Sequence, residues 1–259
     1  MSSSPSAGTQ LPRRVLITGG SSGIGLAVAQ LFVQAGSDVG ILGRDPGRLD
    51  AALAELGSTG PGRAAGVCAD VAEDPQVDKA VTDLAGQLGG LDALVTCAGI
   101  EGEMGAACED VTAKSFREVL DVNVVGTFLA VKHALPYLKK SAGSSVTMVG
   151  SDSGFVAVPG MLAYNASKGA LVQMTRALAV ELFDEHGIRV NSACPSIVDT
   201  PLARRGLGDE AMDQPSFPLQ SAEDIAWTVS YLASHRSRAV NGVNLLSDFG
   251  YTGRSSFPA

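Results

Sequence analysis

Val15-Leu16-Ile17 runs directly into Thr18-Gly19-Gly20-Ser21-Ser22-Gly23-Ile24-Gly25, and a helical pattern through Leu26, Val28, Ala29, Leu31, Phe32 and Ala35 follows at once. An apolar, β-branched run of this length reads as a buried strand. Strand, glycine-rich turn, helix is the order that a dinucleotide site requires. Residues without Cβ let backbone N–H groups and the helix N-terminus approach a pyrophosphate, and Gly25 lets the helix pack closely on the strand. Gly19, Ser21, Ser22, Gly23, Ile24 and Gly25 are therefore candidate cofactor contacts.

The next strand, Asp38 to Leu42, ends in Gly43-Arg44-Asp45. A carboxylate at the end of this strand binds the adenosine ribose 2′-OH, whereas an Arg accommodates a 2′-phosphate. Gly43 stands where the acid is expected for NAD and Arg44 follows, which favours NADP(H). Asp45, about 20 residues past Gly25, keeps NAD(H) open. Asp70-Val71 closes the strand Ala65 to Cys68, where a side chain reaches toward the adenine.

Alternation then continues. Helices are expected from Pro46 to Leu56, Asp74-Pro75 to Leu88, Ser115 to Leu138, Leu162 to His186 and Ala222 to Leu232. Strands are expected at Ala93 to Cys97, Val146 to Val149, Ile188 to Ala193 and Val243 to Leu246. Asp74 and Pro75 suit an N-cap and first helical position, and Ser221 with Asp224 suits a capping box. Seven strands alternating with six helices imply an α/β fold: a Rossmann-type, doubly wound parallel sheet with helices on both faces. The expected organisation is a disordered tail over residues 1–12, rich in Ser, Pro and Gly, and a single domain over 13–259.

With 259 residues and 45% hydrophobic content, the chain is large enough for one full core. The net charge of −8 argues against nucleic acid or an anionic membrane surface as partner. No uninterrupted run of 18 apolar residues occurs, and the N-terminus lacks the apolar segment of a signal peptide. Cys68, Cys97, Cys108 and Cys194 are far apart with only three His, so no metal site is expected and four reduced thiols in a cytoplasmic protein are.

The chemistry gathers around Tyr164-Asn165-Ala166-Ser167-Lys168. On a helix, residues four apart share a face, so the phenol and the ammonium emerge side by side. A nearby cation lowers the phenol pKa from about 10, which would fit Tyr164 for proton transfer near pH 7. In a doubly wound sheet, ligands sit beyond the C-terminal strand ends. Ser151 follows the strand Val146 to Gly150, Ala98-Gly99 turns out of the strand Ala93 to Cys97, and Pro195 to Thr200 follows the strand Ile188 to Ala193. Asn123 lies within the long helix after Gly99.

Taken together, the Gly19 to Gly25 turn, Asn123, Ser151, Tyr164-x-x-x-Lys168 and Arg189-Val190-Asn191 resemble the short-chain dehydrogenase/reductase family. The resemblance extends from Arg13 to about Gly250, where Asp248-Phe249-Gly250 is similar to that family's closing Asp-Gly-Gly turn. It implies an oxidoreductase interconverting a secondary alcohol and a ketone. Tyr164 would be the general acid or base, and Lys168 would tune Tyr164 and hold the nicotinamide ribose. Ser151 would orient the substrate oxygen, and Asn123 would bind a water relaying protons from Lys168. Pro195, Ile197 and Thr200 would hold the nicotinamide amide, and the assembly would be a homotetramer or homodimer built on the two long helices.

Three departures stand out: Thr96-Cys97 for the usual Asn-Asn, Ser196 for Gly, and Phe249 for Gly. Residues 200–219 match the family's mobile substrate lid and contain Arg204 and Arg205. Phe155, Val156, Val158 and Met161 imply an apolar or mixed small-molecule substrate. Two other readings stay open: a non-catalytic, redox-sensing cofactor-binding protein, and a 3-oxoacyl thioester reductase.

Overall fold

The computed structural model describes residues 11–254. Its elements in order are β1 (Arg14–Thr18), α1 (Gly23–Gln34), β2 (Asp38–Gly43), α2 (Pro46–Leu56), β3 (Ala64–Cys68), α3 (Asp74–Leu88) and β4 (Ala93–Thr96). There follow α4 (Ala113–Leu120), α5 (Gly126–Leu138), β5 (Ser145–Val149), α6 (Leu162–His186) and β6 (Arg189–Pro195). The described chain then runs through α7 (Pro201–Leu207), α8 (Asp209–Asp213), α9 (Ala222–Ala233) and β7 (Asn244–Ser247). All strand pairings are parallel, and the order across the sheet is β3-β2-β1-β4-β5-β6-β7. The expected doubly wound α/β sheet is therefore the observed fold.

Alternating side chains cover both faces. Val15 and Ile17 of β1 join Val28 and Phe32 of α1 and Ile225 and Val229 of α9 in one core. Leu16 points the other way, into a second core with Leu84 of α3, Leu129 of α5, Met148 of β5 and Leu182 of α6. Burial on both faces explains why the strands read as unbroken apolar runs.

Strand order reverses between β1 and β4: the chain first builds outward to β3, then crosses back to lay β4 on the free side of β1. The crevice beyond the C-terminal ends of these two strands is where such sheets hold ligands.

Several boundaries differ from expectation. Residues 1–10 of the expected tail lie outside the described residues, but Leu11 packs on the core and Pro12 is buried, its carbonyl accepting the Ser37 hydroxyl at 2.7 Å. Asp74 is the first helical residue of α3, with Glu73 at the N-cap. Its carboxylate is drawn away from the cap to Lys132 at 3.0 Å and to His133. The helix expected over Ser115 to Leu138 begins at Ala113 and opens into a π-turn at Asp121–Val125. Apolar spacing carries no signal for that extra residue, which serves Asn123. The Ala113–Leu138 run is long and apolar enough to cross a membrane by composition, but α5 supplies Leu129, Ala130, Val131, Ala134 and Leu138 to the second core. The Ser221–Asp224 capping box is present.

Arg189-Val190-Asn191 is a structural staple. The Arg189 guanidinium, 3% exposed, donates to the carbonyls of Leu232, Ser234 and Ser237 and to the Ser237 hydroxyl, at 2.9–3.2 Å. It thereby gathers the end of α9 onto β6, and burial without a carboxylate holds its pKa below the ordinary value. Asn191 donates to the Val240 carbonyl and accepts from Val243 N–H, while Asn241 accepts from Val190 N–H. Removing Arg189 would orphan several buried carbonyls at once. Arg189→Leu is expected to lower stability by roughly 3 kcal/mol or more, read as a reduced urea midpoint; an unchanged midpoint would contradict the staple.

Candidate active site

The strand ends meet in a cleft of ≈ 620 Å³. Gly19, Ser21, Ser22, Gly23, Ile24, Gly25, Arg44, Asp70, Val71, Ala98, Gly99, Ser151, Tyr164, Lys168, Pro195, Ile197 and Thr200 all line it. Asn123 does not.

At one end the glycine-rich turn closes on itself. Gly19 has φ +68°, and a Cβ on Gly25 would run into the Gly19 carbonyl oxygen. The first turn of α1 carries no acidic residue, and Ser22 at its N-cap makes no side-chain cap bond. The leading N–H groups of this twelve-residue helix are therefore open to an anion.

The opposite side of the cleft, where β2 runs into α2, sets a glycine, an acid and two bases side by side. A Cβ on Gly43 would lie 2.7 Å from Ser21 Oγ, so no acidic side chain fits there without displacing Ser21. Asp45 is the N-cap of α2, its Oδ1 accepting Arg48 N–H at 2.9 Å. Arg44 lines the cleft without an ion pair among the described residues, and Arg48 lines the same end. Sequence reading missed Arg48, whose position on the first turn of α2 was the available signal. These features fit an extended dinucleotide with an anionic group near Arg44.

At the other end, β5 and α6 bring Ser151, Tyr164 and Lys168 together. Lys168 is 7% exposed; its Nζ donates to the Val149 carbonyl at 3.0 Å and lies 5.4 Å from the Tyr164 ring centroid. Burial pulls the Lys168 pKa down from 10.5 to about 8. Tyr164 differs from the expected tuning. Burial pushes its phenol up to about 12, Ser151 pulls it down, and the Asp152 and Glu101 carboxylates push it up further. The expectation of a phenol lowered toward neutrality by Lys168 is corrected: desolvation of the half-buried phenolate is the largest influence, and Lys168, directed at the Val149 carbonyl, is not among the groups that lower it.

Asn123 works one layer back. The π-turn directs its Nδ2 to the Ile100 carbonyl at 3.0 Å and to Ser167 Oγ at 2.9 Å, and its Oδ1 accepts Ile100 N–H at 2.8 Å. It clamps the loop after β4 onto α6, one residue before Lys168. One lone pair of Oδ1 remains for a further donor.

The segment of α7 and α8 is tied down by ion pairs. Arg204 bonds Asp199 and Asp213 at 2.8 Å and Asp209 at 3.4 Å, which hold its pKa above the ordinary value. Arg205 bridges to Glu101 through two bonds at 3.0 and 3.3 Å. The residue before α7 meets the glycine-rich turn, since a Cβ on Gly23 (φ +53°) would come within 3.3 Å of Thr200 Cγ2. Asp248 accepts Gly250 N–H and Thr252 N–H, folding a C-terminal turn that brings Tyr251 and Arg254 into the cleft wall, two residues sequence reading missed.

The three departures have distinct consequences. Thr96 leaves a buried hydroxyl without a partner among the described residues. Ser196 is unstrained, because among the described residues Phe249 is the non-glycine residue with positive φ, at 53°. The cost of replacing glycine therefore falls on Phe249.

A sequence profile of the family described as enoyl-(acyl carrier protein) reductase matches residues 19–252. The 2-(S)-hydroxypropyl-CoM dehydrogenase 3 of Xanthobacter autotrophicus is 34% identical over 248 residues, 92% of this chain and 96% of that protein. The NADP-dependent (R)-specific alcohol dehydrogenase of Lentilactobacillus kefiri is 34% identical over 244 residues, 92% of this chain and 95% of the relative. A short-chain type dehydrogenase/reductase from Mycobacterium ulcerans superposes with a TM-score of 0.85 at 30% identity, covering 93% and 90% of the two chains.

The buried lysine has a measurable cost. The drop from 10.5 to about 8 corresponds to roughly 3 kcal/mol of unfavourable burial, partly offset by the Val149 bond. Because the folded value lies below the unfolded one, the unfolded chain holds the extra proton between those values. The penalty is complete below pH 8 and is relieved as pH rises toward 10.5. Without cofactor, Lys168→Met is expected to melt a few degrees above wild type at pH 7, with the gap closing toward pH 10. A lower melting temperature at pH 7 would contradict the desolvated ammonium.

Proposed function

The chain belongs to the short-chain dehydrogenase/reductase family and is an NAD(P)-dependent oxidoreductase acting on secondary alcohols and their ketones, and on that premise we propose that it prefers NADP(H) and uses Tyr164 as its acid and base. The observation that carries the cofactor preference is the adenosine end of the cleft. Gly43 excludes an acid, Asp45 is engaged as the α2 cap, and Arg44 and Arg48 are the cations that face the cleft there. An Arg in this position accommodates a 2′-phosphate. One relative is NADP-dependent by name.

The glycine turn and the α1 N-terminus would hold the pyrophosphate, and Asp70 and Val71 would border the adenine. Ala98 and Gly99 would border the nicotinamide ribose with Lys168, and Pro195, Ile197 and Thr200 would position the amide. The nicotinamide, when bound, donates or accepts the hydride. The protein's own residues manage the proton. Tyr164, with a pKa of about 12, keeps its phenol proton at neutral pH, which suits it to protonate a ketone oxygen. Ser151 orients that oxygen beside Tyr164. Lys168, next to the phenol, supplies a charge that offsets a developing phenolate, and Asn123 is available through Oδ1 to a water connecting Lys168 with solvent.

Val156, Val158 and Met161 line the cleft, so the substrate is an apolar or mixed small molecule. A thioester reductase is the second reading, favoured by the description of the matching profile. It is weakened by Arg204 and Arg205, which are both paired with lid and loop carboxylates rather than free for an anionic carrier. Exposed Val125 and Phe128 near the start of α5, and Val180 and Phe183 on α6, support a homotetramer or homodimer through the long helices. Four free thiols accord with a cytoplasmic setting.

Titration with NADPH and NADH, followed by nicotinamide fluorescence, tests the preference. Wild type is expected to bind NADPH more tightly. Arg44→Ala is expected to weaken NADPH by roughly tenfold, about 1.4 kcal/mol, with little change for NADH. Equal losses for both cofactors would show that Arg44 does not read a 2′-phosphate.

A further inference from the structure

One carboxylate in the cleft has no part in the proton-transfer set. Asp152 opens the short 3₁₀ turn Asp152–Gly154 directly after Ser151, is 8% exposed, and lines the cleft beside Tyr164. No cation pairs with it among the described residues. Lys168 donates to Val149, Arg205 pairs with Glu101, and Arg204 pairs with Asp199, Asp209 and Asp213. The partner that Asp152 does have is Ser151, whose hydroxyl donates to Asp152 Oδ1 at 3.0 Å. Ser153 N–H meanwhile donates to Ser151 Oγ at 3.1 Å.

This pairing conflicts with the role of Ser151. A serine hydroxyl has one proton to donate. While it is directed at Asp152, none is left for the reacting oxygen. A substrate with its own hydroxyl on the carbon next to the reacting one removes the conflict. That hydroxyl donates to Asp152, and the Ser151 proton turns to the carbonyl or carbinol oxygen. A hydrogen bond to a buried carboxylate is among the stronger ones available.

We propose that Asp152 determines substrate specificity by accepting a hydrogen bond from a vicinal hydroxyl, making α-hydroxyketones the preferred ketones and vicinal diols the preferred alcohols. The inference rests on the ketone and alcohol reading above and narrows its substrate. In the reducing direction the carbonyl carbon gains the hydride and its oxygen gains the Tyr164 proton. The ketone becomes an alcohol as the reduced nicotinamide is oxidised, and the neighbouring hydroxyl is unchanged. Glu101, directed at Arg205, does not compete for the vicinal hydroxyl. A 2-oxo acid would set its carboxylate against Asp152 with like charge and is excluded.

The test compares kcat/KM for 2-hydroxycyclohexanone and cyclohexanone with NADPH, in wild type, Asp152→Ala and Asp152→Asn. NADPH affinity serves as the control for an intact fold. Wild type is expected to favour the hydroxyketone by roughly ten- to a hundredfold. Asp152→Ala should lose most of that ratio and keep its NADPH affinity. Should Asp152→Ala not fold, Asp152→Asn is read instead, since a neutral amide is a weaker acceptor and must shrink the ratio. A ratio unchanged in the folded variants, or turnover of both ketones by wild type without preference, overturns the inference and leaves the ketone reading intact. NADPH binding with no turnover of the hydroxyketone likewise overturns the inference.

Discussion

The Lys168 ammonium, taken out of water and held on the Val149 carbonyl, is the interaction on which the site turns. It joins α6 to the end of β5, and so places Tyr164 next to Ser151. A buried cation costs stability, and here burial has drawn its pKa down to about 8. The same low-dielectric surroundings push Tyr164 up to about 12. Burial thus separates the two groups in an instructive way: the phenol is a firmly protonated acid and the lysine a cation close to losing its proton. Charge placed near a developing phenolate is worth more in such surroundings than in water. On the proposed function, the stability given up at Lys168 serves catalysis, as desolvated groups at active sites often do.

Around this pair the fold supplies position. The reversal of strand order between β1 and β4 opens the crevice, and the loops after β1, β4, β5 and β6 all empty into it. Close backbone approaches then shape the glycine-rich end, where Gly25 lies under the Gly19 carbonyl and Gly43 lies against Ser21. The π-turn in the long helix trades regular hydrogen bonding for a direction, pointing Asn123 at the loop backbone and at Ser167 beside Lys168. Arg189 and Asn191 hold the far edge of the sheet in register, so that β6 delivers Pro195 to Thr200 to the cleft.

Much of this was legible in the residues. The Gly19 to Gly25 turn between an apolar run and a helical pattern gave β1 and α1, because turn chemistry and period both change there. Pro46 to Leu56 and Leu162 to His186 were readable to the residue, since Pro after Asp45 and Gly187 mark real ends. Other features were not local. Whether Asp45 binds ribose or caps a helix depends on where α2 starts in space, and the direction of the Tyr164 pKa depends on burial that i,i+4 spacing does not report. The π-turn leaves the apolar pattern of the helix unbroken. Asp152 and Arg254 look like ordinary loop charges until β5 and the C-terminal turn carry them to one cleft. Arg204 and Arg205 are bound to carboxylates that sequence spacing alone could not assign.

Proton transfer by Tyr164 beside a dinucleotide held elsewhere in the cleft is the central proposal, and its direct measurement is pre-steady-state reduction of one ketone by wild type and Tyr164→Phe, with NADPH affinity determined in parallel. The account predicts unchanged NADPH affinity and a chemical step slowed by about 10²–10⁴-fold. A Tyr164→Phe enzyme that binds NADPH and reduces the ketone at the wild-type rate would contradict it.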